Sequence, residues 1–209
     1  MDIVLVGAGG CAREVLQWIC DINAISPTYH IKGFIADDRD TAFNGVTCDY
    51  PIIDTIENYQ PLPNERLVCS LGSPRGKHIV VDKLKARGGI FETIVHPTAI
   101  VCGDVTLGKG CIVYPYTIIG PGTQLGEFVL LMSSTGTDSH IHSYSTVSSY
   151  CYIGHKTKIG HDCFLSTHVV LQDHVALGDR VSVGAGSCVV ADSGDDLHLF
   201  GNPATDLNI

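Results

Sequence analysis

Between Val95 and Val190 the chain places an aliphatic residue at every sixth position. Val95, Val101, Leu107, Val113, Ile119, Leu125 and Leu131 hold one phase, and Ile141, Val147, Ile153, Ile159, Leu165, Leu171, Leu177, Val183 and Val189 hold it again. Each unit reads aliphatic, often Gly, two variable residues, then a small or β-branched one, as in Leu107-Gly-Lys-Gly-Cys, Ile159-Gly-His-Asp-Cys and Leu177-Gly-Asp-Arg-Val. An amphipathic helix needs apolar residues spaced near 3.6, which this pattern does not supply. Short strands joined by tight turns fit it, with the aliphatic residue inward and the fifth residue packed beneath the next strand. Three units close a triangular coil of about eighteen residues, so residues one coil apart stack.

The first ninety residues read differently. Asp2 to Val6 is a short buried strand, and Gly7-Ala-Gly-Gly follows it directly. Val15, Ile19 and Ile22 then recur at helical spacing. His30 to Ile35 reads as a second strand ending in Asp37-Asp38, and Arg66 to Leu71 as a third ending in Gly72-Ser73. Pro74 sits at the start of a helical segment running to Arg87. This order predicts a small Rossmann-like α/β unit with its ligand at the strand C-termini. Glycine-lined amides at a helix start favour a phosphate or ribose, although the same turn also serves plain packing. Gly88-Gly89 marks the boundary, giving domains 1-90 and 91-209, and His96 ahead of Pro97 reads as structural.

The glycine usage and period of the C-terminal half resemble the hexapeptide-repeat acyltransferases, which implies a left-handed parallel β-helix. Gly201-Asn-Pro-Ala is similar to the Gly-x-Pro-Ala segment that follows the last coil in those enzymes. Gly7-Ala-Gly-Gly, Gly33-Phe-Ile-Ala-Asp-Asp and Leu71-Gly-Ser, joined to that repeat, resemble the sialic acid O-acetyltransferase and UDP-4-amino-sugar N-acetyltransferase family over essentially the whole chain. The resemblance implies an N-terminal unit that holds a nucleotide-sugar acceptor through Gly9, Gly10, Cys11, Asp37, Asp38 and Gly72; Cys11 stands where family members commonly carry His. It further implies acetyl-CoA as co-substrate, lying in a groove between helices of a homotrimer, with Thr146, Thr167 and Gly184 at the corresponding positions and no metal.

Acetyl transfer from a thioester needs a base, and neutral imidazole suits that role near pH 7. The family's base is a His followed by an acid, just ahead of an Ile-Gly pair. Here the six-residue phase runs to Gly136 and resumes at Ile141, which leaves Thr137-Asp-Ser-His140 as a shortened unit. Counting back from Ile141 puts Thr137-Asp138 on the family pair; counting forward from Leu131 puts Ser139-His140 there. His140 is the expected base, with Asp138 as its orienting acid. His155, stacked above Thr137, and His161, followed by Asp162, are the rivals. His142 falls in a glycine position, and His168 and His174 are both fourth in their units.

Three further readings narrow the function. A formal charge of -9, from 13 Lys and Arg against 22 Asp and Glu, argues against nucleic acid or an anionic membrane as partner. No run of about eighteen apolar residues occurs and no basic segment opens the chain, so a cytoplasmic location is expected. Of nine cysteines, Cys111, Cys151 and Cys163 occupy the fifth place of a unit, where small core residues belong, and no spacing matches zinc. The activity expected is acetyl transfer to the amino group of a nucleotide-linked amino sugar. The alternatives are O-acetylation of sialic acid or another sugar, and a trimeric nucleotide-sugar-binding scaffold without catalysis.

Overall fold

A computed structural model describes residues 1–37, 43 and 46–207. The chain divides into two compact units, Met1–Pro97 and Thr98–Ile209.

The first unit is a four-stranded parallel sheet flanked by helices. Strands β1 (Asp2–Val6), β2 (His30–Ile35), β3 (Ile52–Asp54) and β4 (Glu65–Cys69) take the order β3-β2-β1-β4. Helix α1 (Gly10–Ile25) follows β1, and α2 (Pro74–Ala86) follows β4. Ile3, Val4, Leu5 and Val6 are fully buried, the continuous apolar run expected of a strand covered on both faces. Val15 and Ile19 of α1 are buried with them. The sequence reading missed β3, which is too short to show any periodicity, and set β4 one to two residues late. Pro74 opens α2 behind Ser73, whose side chain accepts from the Gly76 N–H at 3.3 Å.

The second unit is a three-sided left-handed parallel β-helix built from two-residue strands. One face stacks Thr106–Leu107, Gln124–Leu125, His140–Ile141, Lys158–Ile159 and Ala176–Leu177. The second stacks Ile112–Val113, Leu130–Leu131, Thr146–Val147, Phe164–Leu165 and Ser182–Val183. The third carries Ile100–Val101, Ile118–Ile119, Thr135, Tyr152–Ile153, Val170–Leu171 and Cys188–Val189. From Ile119 to Val189 the aliphatic residues of the six-residue phase are all buried, so the period names the core.

Small residues in the fifth place finish the interior. The thiols of Cys111, Cys151 and Cys163 donate to the carbonyls of Gly126, Ser166 and Gly178, at 3.0, 3.1 and 3.1 Å. Ser145 does the same to Gly160 at 2.7 Å, so these cysteines replace hydroxyls in one repeated contact. Fourth-place residues hold the corners in the left-handed region, among them Tyr144 (φ 65), Tyr150 (φ 61), Lys156 (φ 55) and Asp162 (φ 55). That conformation costs about 1–2 kcal/mol for a residue with a Cβ. Bonds between coils over-determine it, as where the Lys156 N–H donates to the Thr137 carbonyl at 2.9 Å. At the far end Asp192 and Asp195 accept from the N–H groups of Ala176 and Asp179, and the hairpin His198–Gly201 with Ala204–Asp206 closes the sheet edge.

The shortened unit is not where the sequence reading put it. Leu131 pairs with Val147 and Ile119 with Thr135, offsets of sixteen residues, whereas Thr135 pairs with Ile153 at the regular eighteen. The two residues are therefore lost at Met132-Ser133-Ser134, and Gly136-Thr137-Asp138-Ser139 is an ordinary corner. Thr135 takes an inward place that no aliphatic residue marks. Its hydroxyl is satisfied inside the prism by the Gly120 N–H at 3.2 Å and by Thr123 Oγ1 at 3.3 Å. His140 accordingly belongs to a regular strand and not to an irregular rung.

Candidate functional site

The corner Gly136–Ser139 lies between the third face and the first. A Cβ on Gly136 would lie 2.8 Å from Gly154 C and His155 N, so glycine is what lets the next coil approach. Directly above Thr137 stands His155, with its Nδ1 hydrogen-bonded to Thr137 Oγ1 in a short contact. The His155 backbone N–H donates to Asp173 Oδ1 at 2.8 Å, and the ring meets His174 edge-on at 5.6 Å and 87°. His155 thus has Nδ1 engaged and Nε2 on the opposite side of the ring. The counting from Ile141 gives the register actually adopted: Thr137-Asp138 occupies the corner, and an imidazole one coil later hangs over it.

His140 lies on the flat of the first face, between Gln124 and Lys158 in the stack. It lines a cleft of about 160 Å³ with Thr106, Gln124, Gly126 and His142. Asp138 is exposed with φ 56, and among the described residues no hydrogen bond joins it to His140. His142, in the glycine position, meets His161 of the next coil at 4.8 Å with the rings tilted by 39°. Burial, then the neighbouring His161, lowers the His142 pKa, so this imidazole stays neutral at physiological pH. His161 and Asp162 sit on the corner between the first and second faces, away from Thr137 along the coil. Gln124 and Thr106 were not picked out from sequence. Gln124 becomes legible as a neighbour of His140 only once the offset of sixteen is known.

The residues read for the cofactor are dispersed. Thr146 is buried in the second face, paired between Leu130 and Phe164. Thr167 and Gly184 share the corner between the second and third faces, and a Cβ on Gly184 would meet the Phe200 ring at 2.4 Å.

In the first unit, β1 lies between β2 and β4, and both helices start from the two loops that follow β1 and β4. This is the strand-order reversal at which open parallel sheets take ligands. Gly9, Gly10 and Gly72 have open space where a Cβ would be, at the strand C-termini where a sheet of this order has its crevice. Gly7 (φ 99) carries the turn, and Gly9 caps α1 without any side-chain bond. Cys11 is half-buried in the first turn of α1. Asp37 is exposed, and its Oδ1 accepts from the Glu57 N–H at 3.0 Å. Asp38 lies outside the described residues. Away from the crevice, His96 is buried, bonded through Nε2 to Asp21 at 3.1 Å and packed edge-on to Trp18 at 5.4 Å, as its structural reading expects.

Residues 2–84 match the family model described as the PglD N-terminal domain. No curated protein matches the chain in sequence. Among solved structures, the acetyltransferase domain of PglB from Neisseria gonorrhoeae superposes with a TM-score of 0.88 at 24% identity, covering 99% of each chain. The same domain in complex with acetyl coenzyme A gives 0.87 at 22% identity, covering 99% of this chain and 98% of that one. PerB from Caulobacter crescentus, in complex with CoA and GDP-perosamine, gives 0.86 at 20% identity, covering 99% of this chain and 97% of that one. These likenesses establish a shared fold from end to end.

Proposed function

We propose that this chain, a PglD N-terminal domain followed by a hexapeptide β-helix, transfers the acetyl group of acetyl-CoA to the amino group of a nucleotide-linked amino sugar. The observation that carries the reading is the pairing of a strand-reversal crevice lined by bare glycines with this prism, in a fold whose solved relatives hold acetyl coenzyme A or CoA with GDP-perosamine. In this reading the crevice holds the nucleotide of the acceptor through Gly9, Gly10, Cys11, Asp37, Asp38 and Gly72. Domains 1-90 and 91-209 divide acceptor binding from transfer, with Thr146, Thr167 and Gly184 on the cofactor side.

In this reading the base is His155, supported by its hydrogen bond to Thr137 at that corner. If His155 Nδ1–H donates to Thr137 Oγ1, the lone pair is fixed on Nε2. As the acceptor nitrogen attacks the thioester carbonyl, His155 Nε2 takes the proton from that nitrogen. The new C–N bond forms, the C–S bond breaks, and the proton returns to the departing thiolate. His140 is the alternative base, favoured by its place in the cleft beside Gln124 and His142. A second reading, a scaffold that binds without turnover, is favoured by Thr137 standing where the family's base is expected.

Self-association completes this reading. Ile100 and Ile118, and Tyr152 beyond Ser134, are exposed on the third face, a surface suited to copies of the chain around a threefold axis. No described helix is long and apolar enough to cross a membrane, in keeping with action on cytoplasmic sugar nucleotides.

The test is thiol release from acetyl-CoA against a panel of UDP-, GDP- and dTDP-linked 4-amino sugars and their hydroxyl counterparts. Release with one amino sugar and not its hydroxyl analogue supports N-acetylation. Acetyl-CoA binding with no release from any member would leave the scaffold reading standing instead.

A further inference from the structure

The cut corner leaves a gap in a column of rings. Corners between the second and third faces present Pro115-Tyr116, then the shortened Met132-Ser133-Ser134, then Ser149-Tyr150 and Thr167-His168. Tyr116 and Tyr150 both occupy the fourth place, with φ 59 and 61, and are 80% and 78% exposed. On this fold, rings one coil apart stack: Phe128 on Tyr144 at 5.3 Å and 6°, and Tyr150 on His168 at 5.2 Å and 28°. Tyr116 and Tyr150 are two coils apart, and the residue that would carry the ring between them is one of the two missing. Their backbones are therefore separated by about two strand spacings, roughly 9.6 Å. Aromatic pairs settle at centroid distances of about 4.5–7 Å, so the gap admits one planar ring and not two.

The surroundings select the ring. Ser133 is drawn inward, its hydroxyl donating to the Ser148 carbonyl at 2.6 Å, and the half-buried Met132 accepts from Ser149 Oγ through its sulfur at 3.7 Å. Met132 and Ser133 thus form the cut corner itself, with Tyr116 one coil before it and Tyr150 one coil after. In a chain of net charge -9, the outward third and fourth places of this corner carry no carboxylate: Pro115-Tyr116, Ser149-Tyr150, Thr167-His168 and Ala185-Gly186. The other two corners carry Asp104, Asp138 and Asp173 against Lys156, and Glu127, Asp162 and Asp179 against Lys109 and Arg180, so both stay net acidic. An aromatic ring bearing phosphates meets the least repulsion here.

We propose that the gap between Tyr116 and Tyr150 is a stacking site for the base of a purine nucleotide, which restores the missing rung of the column. The site does not require the transfer reaction. Stacking of a base on an aromatic side chain is the sequence-tolerant contact by which nucleotide grooves hold their ligands.

The experiment photolabels the full-length chain with 8-azido-ADP and maps the adduct by mass spectrometry, alongside calorimetric titration with ADP. Label is expected on the segments carrying Tyr116 or Tyr150. Tyr116→Ala and Tyr150→Ala should each reduce that labelling about tenfold, and Tyr116→Phe and Tyr150→Phe should keep it. Inserting a Pro-Tyr pair between Met132 and Ser133 restores an eighteen-residue coil, fills the gap and should abolish labelling while raising or preserving the melting temperature. Displacement by coenzyme A and not by GDP assigns the ring to the cofactor, and displacement by GDP alone assigns it to the acceptor nucleotide. Label confined to the Gly7–Gly10 loop, or undiminished in both alanine variants, overturns the site. So do alanine variants that only dissociate an oligomer. Tyrosine-dependent labelling without thiol release would keep the site and remove the activity; the converse result would do the opposite.

Discussion

Removing one hydroxyl tests how the proposed base is held. In Thr137→Val the side chain keeps its shape and loses the oxygen that faces His155 Nδ1. One net hydrogen bond is worth about 0.5–1.5 kcal/mol. If that bond fixes the tautomer with its lone pair on Nε2, kcat should fall roughly 2- to 13-fold with KM for the nucleotide sugar unchanged, since a tenfold change corresponds to about 1.4 kcal/mol. Thr137→Ser should restore most of it. His155→Ala removes the base itself and should lower kcat by about 10²–10⁴, whereas His140→Ala should leave it within about threefold. The assay is initial-rate thiol release with the acceptor found by the panel, each variant checked for an unchanged melting temperature. Full turnover by His155→Ala, or a loss of the larger size in His140→Ala, refutes the assignment and moves the base onto the first face. Thr137→Val acting like wild type while His155→Ala is inactive would keep the base and remove the positioning role of the threonine.

Gly136→Ala should cost about 1–3 kcal/mol, read as a lower melting temperature, because its Cβ would press on backbone atoms of the next coil that have little room to yield. Cys69 and Cys163 should resist a thiol reagent at pH 8 in the folded protein and react on denaturation: burial pushes both thiols up to about 11, and the reactive species is the thiolate. His142 should titrate below the ordinary histidine range by NMR, and His161→Gln should bring it part of the way back. Because its folded pKa is depressed, the unfolded chain takes this proton first, at about pH 6.5. Stability should therefore fall with acidification from that point down through the lower folded value, and denaturant melts from pH 7 to 5 should show the loss reduced in His142→Gln.

The six-residue period determined the apolar residues that fill the prism from Ile119 to Val189, because an inward aliphatic at each two-residue strand lets such strands bury a core. It also fixed the reading of Cys111, Cys151 and Cys163 as small interior residues, which the structure shows as thiols serving a contact that Ser145 makes with a hydroxyl. In the first unit, the buried run of β1 and the glycines after it marked the strand, turn and helix start that the structure shows at Asp2–Val6 and Gly10. What sequence could not locate was the lost pair of residues. Thr135 fills an inward place as a hydrogen-bonded polar side chain, and a hydrophobic pattern is blind to such a residue. The eighteen-residue spacing already put His155 over Thr137, but only the pairing of coils moved the cut from Thr137–His140 to Met132–Ser134 and opened the column between two tyrosines that lie thirty-four residues apart in the chain. Stacking in a β-helix depends on residues one coil away, and how many residues make a coil is a property of the wound chain.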